Sequence, residues 1–204
     1  MEAVRAGALL SWHAATSPRL GERESGDRSV VLSSESGLLL AVIDGLGHGR
    51  EALASAELAE QTLRAHPGES VIALVRRCHE RLRGVRGVVM SLAAFNPAER
   101  TMTWLGVGNV EGRLVRADPE IAPRCEFLLL RGGVVGGALP PLHASLIPVT
   151  PGDTLILATD GVSLPPVHEL LLDGSPEAAA QRLLARHGRE HDDALVLIGR
   201  WTGH

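Results

Sequence analysis

Lysine and tyrosine are both missing from this 204-residue chain, and aromatic residues make up only 2 % of it. Every one of the 20 Lys/Arg positions is therefore arginine. A GC-rich coding bias accounts for that exchange. Arginine's planar fork suits phosphate, but a chain-wide replacement singles out no position. Cysteine is scarce as well: Cys78 and Cys125 have no CxxC spacing, and Cys78 falls on an apolar helical stripe, so both are read as buried and reduced. There is no basic excess. With a net charge of -4, the chain gives no reason to expect a nucleic-acid partner. No apolar run approaches the ~20 residues of a membrane-spanning helix. The N-terminus mixes acidic and basic residues, without the sustained apolar stretch of a signal peptide. These absences point to a cytoplasmic protein without a membrane partner, expected to be monomeric.

The remaining composition is ordinary for a globular protein, at 45 % hydrophobic and 22 % charged. A chain of this length buries roughly 70 % of its unfolded surface and needs no disulfide. It reads as a single domain over residues 1–204, with no repeat, linker or low-complexity segment.

Periodicity supplies the elements. Ala3 to Ala15 reads as a first strand, and Ser29 to Ser33 with Leu38 to Ile43 as a hairpin. Apolar residues at three- and four-residue spacing (Leu53, Ala56, Ala59, Leu63; then Val71, Leu74, Val75, Cys78, Leu82) predict two helices, separated by Pro67-Gly68. Gly87 to Phe95, Thr101 to Val107 and Glu111 to Val115 follow as short strands. A Gly- and Pro-rich loop over 131–141 leads to a strand at Thr154 to Thr159. Ser175-Pro176 has the chemistry of a helix start, and Ala194 to Ile198 closes the chain as a buried strand. Strands joined by short turns make antiparallel sheets, hence an α+β fold rather than a βαβ nucleotide fold.

One stretch does not suit packing. The apolar run Leu38 to Ile43 stops at Asp44-Gly45-Leu46-Gly47-His48-Gly49. Glycines add nothing to a core and cost backbone entropy, yet they let backbone and one acid come close to an ion or phosphate. A second Asp-Gly, Asp160-Gly161, also ends an apolar run; Asp27 precedes a strand, and Asp192-Asp193 begins the last one. Acids at strand ends face the rim of a sheet, where several can meet. Crowded carboxylates raise one another's pKa, and a hard divalent cation removes that penalty. A single Asp-Gly more often marks a turn; the combination is what points to a metal site.

The combination resembles the metal-dependent serine/threonine protein phosphatases (PPM, type 2C), and within them the bacterial branch of sporulation-stage and stress-response enzymes. The motifs run in order through nearly the whole chain: Ser25-Gly26-Asp27, Ile43 to Gly49, Gly106-Val107-Gly108-Asn109-Val110, Thr159-Asp160-Gly161-Val162, and Asp192-Asp193-Ala194-Leu195. The resemblance implies an αββα sandwich of two antiparallel sheets flanked by helices, with two Mn²⁺ or Mg²⁺ ions at one rim. It implies Asp44 as bridging ligand, Asp160 and Asp192 completing one ion, and Asp27 with the Gly45 carbonyl holding the other. It further implies hydrolysis of phosphoserine or phosphothreonine by water activated on the ions, with phosphorylated STAS-domain proteins of a stressosome as substrates.

The chain also departs from the wider family. Leu46 stands where many eukaryotic members have His, and His48 reads as a loop residue. Arg28 and Arg131 qualify as phosphate clamps by proximity only. Asn109 reads as a turn residue, and Asp193 as one that orients Asp192 or caps the strand. Two other readings compete: an inactive binding module on the same fold, and a GHKL-type ATP-binding kinase. The second needs Gly two residues after the acid, where this chain has Leu46.

Overall fold

In the computed structural model, which describes residues 9–203, the chain opens with β1 (Leu10–Ser17), β2 (Asp27–Ser34) and β3 (Gly37–Gly45). Helices α1 (Arg50–Ala65) and α2 (Val71–Arg81) follow. The middle comprises β4 (Val88–Asn96), β5 (Thr101–Val107), β6 (Glu111–Val115), β7 (Cys125–Phe127), β8 (Leu130–Arg131) and β9 (Ser145–Pro148). After β10 (Thr154–Ala158) come a 3-10 turn at Val167–Glu169, helix α3 (Pro176–His187) and β11 (Ala194–Trp201). The first strand runs past the expected end at Ala15 to Ser17 because its register is set by β11, from Leu10 opposite Trp201 to Ser17 opposite Ala194. Residues 3–8 of that expectation lie outside the described residues.

Two sheets result, in the orders β1-β11-β10-β6-β7 and β2-β3-β4-β5-β8, with β9 also paired to β5. Pairing is antiparallel throughout except between β5 and β8, where Gly106 and Val107 run parallel to Leu130 and Arg131. The chain passes through β6 and β7 of the other sheet before returning, so β8 arrives in the same direction as β5.

The apolar run of β3 is continuous because both its faces are covered. Leu38, Leu40 and Val42 point between the sheets, against Leu155, Leu157, Leu195 and Leu197. Leu39, Ala41 and Ile43 point outward, under the apolar stripes of α1 and α2. In the opposite sheet Ile156, Ala158, Val196 and Ile198 pack outward on Ala179, Ala180 and Leu183 of α3. The layers are therefore helix, sheet, sheet, helix: an αββα sandwich. Helix starts match their chemistry, since Ser70 and Ser175 accept hydrogen bonds from Ala73 and Ala178 backbone N–H groups. Among the described residues no helix is long and apolar enough to cross a membrane.

Candidate metal centre

Antiparallel pairing brings the acids to one rim. The β2–β3 register sets Asp27 directly opposite Asp44, one at the start of its strand and the other near the end of its partner. In the facing sheet, β10 ends where β11 begins, so Asp160 and the Asp192-Asp193 pair leave that sheet on the same side. Thr159 joins the two sheets there. Its hydroxyl donates to Asp27 Oδ2 at 2.8 Å and accepts the Leu195 N–H at 2.9 Å.

Each acid has a different set of partners. Asp27 is buried, and while Oδ2 takes the Thr159 proton, Oδ1 is buried with no hydrogen-bond partner. A buried acceptor left in that state costs the desolvation of a polar group, and a cation is its natural partner. Asp160 is exposed, and its Oδ2 accepts from Asn109 Nδ2 at 2.7 Å. Asp192 is half-buried, and its Oδ1 accepts the Asp193 N–H at 3.0 Å. Asp193 is buried and fully engaged: Oδ1 takes the Arg19 N–H and Oδ2 the Gly26 N–H, both at 2.9 Å. It anchors the β1–β2 loop that delivers Asp27.

The charges report the convergence. Burial, followed by the charges of Asp27, Asp160, Asp192 and Asp193, pushes the Asp44 carboxyl up to about 8. Burial likewise raises Asp27 to about 7; Thr159 opposes it, and Asp193, Asp160 and Asp192 add to it. Five acids from four chain segments thus act on one another across the sandwich. Among the described residues, no three acidic, His or Cys side chains are drawn in closely enough to enclose one ion. Mutually repelling carboxylates stand apart, and Mg²⁺-type ions are held by few carboxylates with water filling the octahedron.

The glycines of the two Asp-Gly pairs are required by close backbone approach. A Cβ on Gly45 would run into the Ala52 carbonyl at the start of α1, and one on Gly161 into the Asp193 carbonyl. Packing of α1 therefore by itself requires Gly45 to be small. His48 is exposed and faces Glu22 at 3.8 Å, away from the acids' own contacts. Arg28 is spent on structure: it donates to the Ser25 and Asp27 carbonyls at 3.0 and 2.8 Å and pairs with Glu57 at 3.3 Å. Arg131 is exposed, and its carbonyl accepts the Gly108 N–H beside Asn109. Sequence reasoning missed two residues. Thr159 stands in the sequence only as the residue before an Asp-Gly, and Asn109 has the chemistry of a turn residue. No spacing rule ties either to an acid 132 or 51 positions away.

The family model of stage II sporulation protein E (SpoIIE) matches residues 34–202. The chain belongs to the SpoIIE family. A curated relative of this SpoIIE-family chain is the phosphoserine phosphatase RsbX of Bacillus subtilis (strain 168), 25 % identical over 181 residues that cover 88 % of this chain and 89 % of RsbX. A solved chain described under the bacterial stressosome, as a modular system adapted to control secondary messenger signalling, superposes with a TM-score of 0.85 at 27 % identity. That match covers 94 % of this chain and 99 % of the other. RsbX in complex with magnesium superposes at 0.84 with 22 % identity over 95 % and 96 % of the two chains, and so shares the fold.

Proposed function

We propose that this SpoIIE-family chain is a metal-dependent phosphoprotein phosphatase. Its substrates are phosphoserine or phosphothreonine in STAS-domain regulators of a stressosome-type complex, and it acts as a cytoplasmic monomer. The observation that supports this most is the set of acids at one rim, two of them raised to about 7 and 8 by burial and by the charges of neighbouring acids. A protein gains no stability from such crowding, and the unpartnered Asp27 Oδ1 faces the same deficit. Divalent cations answer both.

Asp44 would bridge two Mn²⁺ or Mg²⁺ ions, with Asp160 and Asp192 on one and Asp27 with the Gly45 carbonyl on the other. Bound there, such ions neutralise phosphoryl oxygens and lower the pKa of water into the neutral range. The chain's own work is positioning. Thr159 fixes one Asp27 oxygen and leaves the other free to ligate. Asp193 holds the Asp27 loop through two backbone N–H groups, so it serves the site as an anchor rather than a ligand. The substrate class rests on the kinship to RsbX and the stressosome chain.

The test is phosphate release from phosphorylated STAS-domain proteins with Mn²⁺, repeated after chelation with EDTA. Release that requires the metal is expected. Hydrolysis that survives EDTA would overturn the metal dependence, and none with metal would overturn the proposal and leave a binding module on the same fold.

A further inference from the structure

We infer that Asn109 is a positioning residue for the metal centre, holding the Asp160 carboxylate from just before the neighbouring strand β6 of the same sheet; this rests on the phosphatase reading above. The contact is a 2.7 Å hydrogen bond from Asn109 Nδ2 to Asp160 Oδ2. It joins the turn between β5 of one sheet and β6 of the other to the end of β10. Three features stiffen that turn. The Gly108 N–H donates to the Arg131 carbonyl at 2.8 Å, and the buried Ser91 hydroxyl donates to the Val110 carbonyl at 2.7 Å. Gly108 itself sits at φ +93, where a Cβ would collide with Val89. Asn109 is therefore presented from a fixed base.

The backbone does not call for asparagine there. Among the described residues the only non-glycine at positive φ is Arg100, so Asn109 occupies a conformation open to Ser or Ala. What those residues lack is an amide that reaches Asp160. Asp160 is exposed and ends its strand, so without a partner its carboxylate would sample several rotamers. Fixing Oδ2 leaves Oδ1 in one direction, which is how hydrogen-bonded outer partners orient a ligating carboxylate.

The variants Asn109→Ala and Asn109→Ser separate the two roles. Serine is a good turn residue but too short to reach Asp160. If the amide positions Asp160, both variants bind Mn²⁺ about 10-fold or more weakly by calorimetric titration. With p-nitrophenyl phosphate at saturating Mn²⁺ they lose kcat more than KM, and the metal-free melting temperature stays at the wild-type value. Wild-type Mn²⁺ affinity and kcat in Asn109→Ser would overturn the inference and leave a turn residue. Failure of the wild-type chain to bind Mn²⁺ or hydrolyse the ester would refute the phosphatase reading instead, so the two failures are distinguishable.

Discussion

The crowded acids make the metal-free protein less stable as pH rises, and metal should reverse that trend. Asp27 and Asp44 are held at about 7 and about 8, against an ordinary value of 3.8. Between pH 4 and those values the folded chain keeps protons that the unfolded chain has released. Stability then falls with pH, by about 1.4 kcal/mol per pH unit for each proton retained. Asp44 lies opposite Asp27, whose charge raises it, so the two titrate as a pair and one retained proton is the firm minimum. For a domain of this size 1 kcal/mol moves Tm by roughly 2–4 °C. Metal-free protein should therefore lose about 3–5 °C per pH unit between pH 5.5 and 7.5.

Mn²⁺ binds the deprotonated acids, so its stabilisation grows over the same window. At a concentration a hundred times Kd it contributes about 2.7 kcal/mol, a rise on the order of 5–10 °C. The assay is thermal unfolding followed by circular dichroism at half-unit pH steps, in EDTA and in Mn²⁺. Asp44→Asn is the control: it removes a crowded charge, flattens the pH slope, and raises the metal-free Tm at pH 8 while losing the metal response. A metal-free Tm that is flat or climbs from pH 5.5 to 7.5, or a Mn²⁺ shift independent of pH, would refute the electrostatic argument.

Other outcomes follow from individual contacts. Asp44→Ala and Asp160→Ala should each lower metal-dependent hydrolysis by more than the ~100-fold typical of losing an outer partner, with far-UV circular dichroism unchanged; retained activity in both would remove these acids from the site. Gly161→Ala forces a Cβ against the Asp193 carbonyl and should cost about 1–3 kcal/mol in urea unfolding; a wild-type midpoint would show that the backbone there can yield. Asp193→Ala strands the Arg19 and Gly26 N–H groups, each worth about 1–3 kcal/mol when buried, and should speed trypsin cleavage after Arg19 and Arg23. Unchanged cleavage would mean that the loop is held by something else.

The parts of this fold that sequence made legible are those with local physical causes. The two helical stripes before and after Pro67-Gly68 declare themselves because burial of one face imposes a period. The rim acids were legible for a related reason: an acid ending an apolar run has nowhere to go but the end of a sheet. Strand pairing was legible where it is local, in the β2–β3 hairpin, and not where it is distant, since the partner of β1 lies at the far end of the chain in β11, and the parallel β5–β8 contact depends on a route through the other sheet. The supporting residues failed for that same reason. Thr159 and Asn109 are small polar residues in strand-end and turn positions, where local chemistry already accounts for them. Closing one sheet over the other turns the Thr159 hydroxyl toward Asp27, and the long-range pairing of β6 with β10 brings the Asn109 amide to Asp160. Asp193 shows how the same packing assigns different roles to neighbours. Asp192 and Asp193 are identical in chemistry and adjacent in sequence, yet the β1–β2 loop supplies two N–H groups to one and none to the other. A carboxylate whose two oxygens are both taken by backbone has little left for an ion, whereas Asp192, meeting a single N–H, keeps one oxygen for it.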